Sequence, residues 1–160
     1  MNARQIGCAL VLLLVVFFQS SSTVGAASLE RAMPVAVNIV TNQGTSDLEI
    51  VANKINFLIA YDVSTQQFTP LNIPFKVRSV SGSVVDYGLK VSTLSGLCDD
   101  GSPLVPAPEL DGQTVEVNTQ YAFTGAENNH VLTLSFPYLS QINVAQQCEG
   151  FVGVVAGLTI

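Results

Sequence analysis

Apolar residues recur at every second position through most of this sequence, and this period limits the possible folds more than any other feature. In the segment LNIPFKVRSV the apolar members are Leu71, Ile73, Phe75 and Val77, and polar or small residues lie between them. A period of two is that of a β-strand with one buried face, whereas a helix repeats every three to four residues. The breaks STQQ, SGS, CDDGSP and TGAENN are typical of turns. Short strands at this spacing predict an all-β sandwich or barrel.

The same alternation predicts which other residues face the core. The predicted core-facing residues outside that segment are Ile55, Phe57, Ile59, Tyr61, Val63, Leu89, Val91, Val115, Val117, Tyr121, Phe123, Leu132, Leu134 and Phe136.

Residues 1–28 have the pattern of a signal peptide, with cleavage expected within residues 26–28. Arg4 precedes an apolar run over residues 6–18, and small polar residues follow it. The alternative, an uncleaved membrane anchor, needs about 20 apolar residues. Cys8 would be removed with the leader. About 130 residues then remain, enough for one domain.

The charge balance excludes one class of partner. Of the six lysines and arginines, Arg4 lies in the predicted leader, so five remain against twelve acidic residues. A nucleic acid or an anionic membrane surface would require the opposite balance. We therefore expect no nucleic-acid partner.

Cys98 and Cys148 are the two cysteines that follow the leader, and a pair in an exported chain predicts a disulfide. Closing a loop of this length should stabilise the fold by about 4 kcal/mol. The alternative, half of a metal site or a reactive thiol, lacks a C-x-x-C motif and has only one histidine to draw on.

The sequence offers little catalytic chemistry. A triad would have to centre on His130, the sole histidine, which follows Asn128 and Asn129 in what reads as a surface turn. We therefore expect no enzymatic activity and no cofactor.

Two binding alternatives remain open. Calcium could be bound by the acidic residues Asp99, Asp100, Glu109 and Asp111, although their spacing is not that of an EF-hand and turn formation is the simpler interpretation. A carbohydrate site could be built from Tyr87, Tyr121 or Tyr138, although aromatic residues at core parity usually fill a core.

Both ends of the chain that follows the leader are apolar and alternating. The segment LERAMPVAVNIVTN begins behind the leader, and GFVGVVAGLTI runs to the last residue. An apolar strand at a free terminus has to be covered by another strand or sheet.

These segments resemble the alpha-class (colonisation-factor-antigen type) major subunits of chaperone–usher fimbriae. LERAMPVAVNIV is similar to the N-terminal donor strand of that family, FLIAYDVSTQQFTPLNIPFKVRSV to a strand, turn and strand of its domain, and GFVGVVAGLTI to its final strand. The segment LDGQTVEV is also among the parts that resemble this family. The cysteine pair departs from the pattern, because members of this class often lack cysteines.

The resemblance implies an immunoglobulin-like sandwich that lacks one strand and is completed by donor-strand exchange with another copy. The implied boundaries are residues 29–41 for the donor strand and 42–160 for the domain. The donor residues would be Leu29, Met33, Val35, Val37 and Ile39. The acceptor groove would include Val154, Ala156, Leu158 and Ile160 of the C-terminal strand.

The family also implies a set of partners and a route through the cell. The partners would be other copies of the chain, a periplasmic chaperone and an outer-membrane usher, with a tip adhesin and a host-cell receptor at the end of the pathway. The chain would be exported through the periplasm to a surface fimbria. The alternatives are a minor or tip fimbrial adhesin, or a secreted β-sandwich that binds a receptor.

Overall fold

The computed structural model describes residues 32–41, 47–139 and 147–159, and these residues form a two-sheet β-sandwich. The predicted all-β sandwich is confirmed. In chain order, the strands in the described ranges are β1 (Ala32–Thr41), β2 (Leu48–Val51), β3 (Asn56–Asp62), β4 (Gln67–Phe68), β5 (Leu71–Ser79), β6 (Val85–Cys98), β7 (Ala107–Leu110), β8 (Gln113–Thr114), β9 (Tyr121–Gly125), β10 (Glu127–Ser135) and β11 (Cys148–Leu158). The predicted signal peptide, Cys8 and Leu29 at one end and Ile160 at the other lie outside the described residues.

The first sheet has the order β4-β3-β1-β11-β6-β9, and the second has the order β2-β5-β10-β7-β8. Neighbouring strands run antiparallel except at one place, where β1 runs parallel to β11. The chain's first described strand and its last strand therefore lie side by side in the middle of the first sheet. The described part of the chain contains no helix with the length and hydrophobicity of a membrane span.

The core lies between the two sheets and is built by the alternation seen in the sequence. In β5, Leu71, Ile73, Phe75 and Val77 are all buried, and the positions between them point outwards. In β10, Leu132 and Leu134 face the same core from the neighbouring strand. Strand pairing satisfies the backbone hydrogen bonds while one face of each strand leaves water, which is the main stabilising term of such a sandwich.

Three residues that the alternation placed in the core are exposed. Ile55 and Val63 are 53% and 46% exposed because β3 is limited to Asn56–Asp62 and both residues fall beyond its ends. Val117 is 39% exposed because the predicted strand around it is interrupted after β8 by a turn. Alternation identifies a face only where pairing continues, and these residues lie where pairing stops.

The disulfide joins the adjacent strands β6 and β11 of the first sheet at one end. Cys98 of β6 and Cys148 of β11 stand opposite one another, with 3.9 Å between their Cα atoms, and they form the bond predicted from the sequence. Nearby, Gly96 accommodates a crossing segment: a Cβ at that position would lie 2.1 Å from the carbonyl oxygen of Leu104. The amide of Leu104 donates in turn to the carbonyl of Gly96. Only glycine permits this close backbone approach.

Candidate functional site

The N-terminal strand β1 fills a slot between β3 and β11. In the sheet that the described residues form, β3 and β11 each pair with β1 and are separated by it. On one side Met33 stands opposite Ile59 and Val35 opposite Phe57. If β1 left, two strands would each lose a hydrogen-bonded neighbour in the middle of the sheet, and the core would be open to water.

The inward face of β1 provides the anchors that hold it in the slot. Met33, Val35 and Val37 are 1%, 3% and 5% exposed, whereas Pro34, Ala36 and Asn38 are exposed on the outer face. Each fully buried side chain of this size contributes about 1.5–3 kcal/mol, so these three contribute roughly 5–9 kcal/mol.

Two other residues were implied as donors, and the structure describes only the backbone of one of them. The backbone of Ile39 stands opposite Val154 of β11, so Ile39 belongs to the same strand. Leu29 precedes the described residues.

The implied acceptor residues lie along β11. Val154 and Ala156 are buried, Leu158 is partly buried, and Ile160 falls outside the described residues. The pairing Ile39 with Val154 brings one predicted donor residue beside one predicted acceptor residue within the same chain. The structure therefore places both halves of the predicted joint next to each other.

Sequence reasoning missed part of the slot wall. Val152 is fully buried opposite Val37, and Gly150 lies opposite Val35. Val152 belongs to the same alternating set as Val154 and Ala156, and Gly150 shares their parity, so extending the acceptor residues towards the start of β11 would have included both. Alternation predicted that Phe57 and Ile59 face the core, but it could not show that β3 forms the opposite wall of the slot, because strand order is not encoded in alternation.

The position of His130 corrects the expectation of a surface turn. His130 is 3% exposed and lies in the middle of β10, because the turn after β9 closes at Ala126 and the strand resumes at Glu127. Asn128 and Asn129 are therefore strand residues. Asn128 is accommodated in the strand because its side-chain amide donates to the hydroxyl of Tyr87 and to the carbonyl of Thr124.

His130 belongs to a polar cluster that links the two sheets. Its Nδ1 lies 2.7 Å from Asp111 Oδ2 and its Nε2 lies 2.8 Å from the hydroxyl of Tyr87 in β6. The side-chain amide of Asn128 donates to the same hydroxyl. For a neutral imidazole these partners place the proton on Nδ1, so that Tyr87 donates to Nε2. Every buried polar atom of the cluster then has a partner, as a structural role requires.

Burial raises the pKa of the Tyr87 phenol above its ordinary value near 10.0. The hydrogen bond from Asn128 acts in the opposite direction, and the nearby charge of Asp111 adds to the increase. Because Tyr87 is buried, it cannot belong to an exposed sugar-binding platform, whereas Tyr138, another residue considered for that site, is exposed.

Three of the four acidic residues considered for calcium accept hydrogen bonds from nearby groups. Asp100 Oδ1 accepts from the backbone and hydroxyl of Ser102, and Asp99 Oδ2 accepts from the amide of Gln147. Asp111 accepts from His130 and from the amide of Val131. Within the described ranges, no three His, Cys, Asp or Glu side chains are grouped so that they could hold a metal ion.

Comparison with known proteins finds no match by sequence and a likeness among solved structures. No family model matches the sequence, and no curated protein matches it. Among solved structures, the fold is similar to the CooA pilin subunit from enterotoxigenic Escherichia coli, with a TM-score of 0.45 and 7% sequence identity over 68% of this chain and 97% of that chain.

Proposed function

We propose that this chain is a structural subunit of a chaperone–usher fimbria and polymerises head to tail by donor-strand exchange. One observation carries the proposal: β1 occupies a slot whose two walls do not pair with each other, and three consecutive inward residues of β1 are buried there. A strand held in this way at the start of a domain can be supplied by another copy. The family resemblance of the two terminal segments supports the same function.

Exchange changes which copy makes the contacts and can leave the contacts themselves unchanged. In the isolated chain β1 fills its own slot. In the proposed filament, Met33, Val35, Val37 and Ile39 of one copy enter the slot of the next, beside Val154 and Ala156. Head-to-tail donation does not close on itself, so it produces an open fibre.

The proposal includes the partners that an open slot requires. An apolar groove along two unpaired edges aggregates unless it is covered. A periplasmic chaperone would occupy the slot during export, and an outer-membrane usher would be the place where β1 of the next copy replaces it. The role of the subunit is then mechanical. The fibre would carry a tip adhesin that binds a host-cell receptor.

Deletion of residues 29–40 tests the proposal. The shortened chain should be recovered in complex with the chaperone, because the slot is intact, and it should form no filaments by electron microscopy. A synthetic peptide of residues 29–41 should bind it and stabilise it against heat. Filaments assembled from the shortened chain would overturn the proposal.

The second candidate function is a secreted or tip-located receptor-binding protein. It would be favoured if the full chain, released from the chaperone in the presence of usher, stayed a monomer and bound host cells.

A further inference from the structure

Met33 lies over Gly150, and the two residues fit each other. A Cβ built on Gly150 would lie 2.5 Å from Met33 Cε, 3.3 Å from the carbonyl oxygen of Ser95 and 3.8 Å from Val35 Cγ2. The missing side chain of Gly150 therefore leaves a hollow in the wall of the slot. The end of the Met33 side chain fills this hollow, and Met33 is 1% exposed.

The match is specific to these two positions. The next inward positions of β11, at Val152, Val154 and Ala156, all carry side chains. On β1, Val35 and Val37 are short and branched, whereas methionine is long and unbranched. The longest anchor in the described part of β1 thus lies over the inward position of β11 that has no side chain.

We infer that the Met33–Gly150 contact sets the register of the strand in the slot. A slip of one residue would turn Pro34 and Ala36 into the core and the anchors outwards. A slip of two residues keeps the correct face, so side-chain shape has to exclude it. In one direction Arg31 would take the place of Met33 and bring a charge into a buried site. In the other direction Val35 would take that place and leave the hollow partly empty.

This inference rests on the proposed function only for the identity of the donor copy. The register would be the same whether β1 belongs to the same chain or to a neighbour. In a filament, Met33 of one copy would contact Gly150 of the next, and the pair would select correctly seated strands during assembly.

A pair of small substitutions tests the fit. Met33→Val leaves a void over Gly150, and Gly150→Ala places a methyl group against Met33 Cε. Each single variant should lower the Tm by about 3–8 °C. The double variant restores the original number of side-chain heavy atoms in the hollow. Its loss of Tm should therefore be smaller than the sum of the two single losses, and its Tm should be close to that of the wild type.

A matched control uses another glycine of the same strand. A Cβ at Gly153 would meet Ser92 Oγ at 2.8 Å and Thr93, with no atom of β1 among its nearest neighbours. Met33→Val combined with Gly153→Ala should therefore give additive losses of Tm. Additive losses for Met33→Val with Gly150→Ala would overturn the inference.

Cysteine cross-linking measures the register itself, which a packing role alone would not change. Ala36 stands opposite Asn56 of β3, and both are exposed, so Ala36→Cys with Asn56→Cys should give a disulfide in the native register. In the Met33→Val background, a slip of two residues would bring position 38 opposite position 56. Asn38→Cys with Asn56→Cys should then cross-link at least several-fold more than it does with Met33 in place.

Two results separate this inference from the proposed function. If Met33→Val leaves the 38–56 cross-link at its wild-type level, Met33 only packs and the register inference is wrong. Non-reducing gels show whether the 36–56 cross-link lies within one chain or between copies. Cross-links confined to one chain in assembled material would contradict strand exchange and leave the register inference standing.

Discussion

The substitution Val37→Asp should release the N-terminal strand from the slot, and the slot should remain able to accept a strand while the chaperone covers it. Val37 is 5% exposed at the middle of the slot, opposite the fully buried Val152, and its amide donates to the carbonyl of Ile55 at 2.7 Å. Losing the buried valine costs about 1.5–3 kcal/mol. Burying a carboxylate with no cationic partner adds several kcal/mol more.

These costs are comparable with the whole stabilisation of the strand. Met33, Val35 and Val37 together contribute roughly 5–9 kcal/mol, and the substitution removes about 5 kcal/mol or more of it. At 1.4 kcal/mol for each factor of ten, insertion of the strand should weaken by at least about a thousandfold. The chaperone complex should be unaffected, because the chaperone would occupy the slot and not β1.

The assay compares filament assembly from chaperone-bound Val37→Asp with a control variant and adds a mixing experiment. Asn38→Asp adds the same charge on the exposed face one residue further along and should assemble like the wild type. Mixed with wild-type subunits, Val37→Asp should shorten the filaments, because its slot can accept a strand while its own strand cannot be donated. Filaments of normal length and number from Val37→Asp alone would refute the reasoning.

Three further predictions follow from the fold. Removing the disulfide by Cys98→Ala with Cys148→Ala should lower the free energy of unfolding by about 2–5 kcal/mol, measured by urea denaturation. Gly96→Ala should destabilise the chain by about 1–3 kcal/mol in the same assay, since its methyl group would collide with the backbone of Leu104; a neutral result would show that the crossing is looser than described. Because burial raises the pKa of Tyr87, its neutral form is favoured by folding, so this contribution is complete below about pH 10 and is lost as the pH rises through the raised pKa. Alkaline denaturation monitored by circular dichroism should therefore be shallower for Tyr87→Phe than for the wild type.

Much of the sandwich could be predicted from the sequence because it is encoded locally. Alternation identified the buried face of β5, from Leu71 to Val77, and the paired cysteines identified the link between β6 and β11. The first prediction uses only the period of a strand, and the second uses only the tendency of paired cysteines to form a disulfide.

The features that could not be predicted from the sequence depend on contacts between distant segments of the chain. His130 was expected in a turn because two asparagines precede it, whereas its burial is made favourable by Tyr87 and Asp111, which are distant in sequence. The alternation of β1 predicted an apolar face for Val37, yet it could not name β3 and β11 as its neighbours. Extending the parity of Val154 and Ala156 would place Gly150 on the inward face of β11, but it could not show that Met33 of another strand fills the hollow there.

Cross-linking between two differently marked copies tests the central claim most directly. One copy carries Ala36→Cys and the other carries Asn56→Cys, and the two are assembled together from their chaperone complexes. Since Ala36 of β1 stands opposite Asn56 of β3, the exchanged strand predicts disulfide-linked pairs of copies in the filaments. If the mixed filaments contain no such pairs, and a chain carrying both cysteines cross-links only within itself, β1 stays in its own slot and the account of assembly is contradicted.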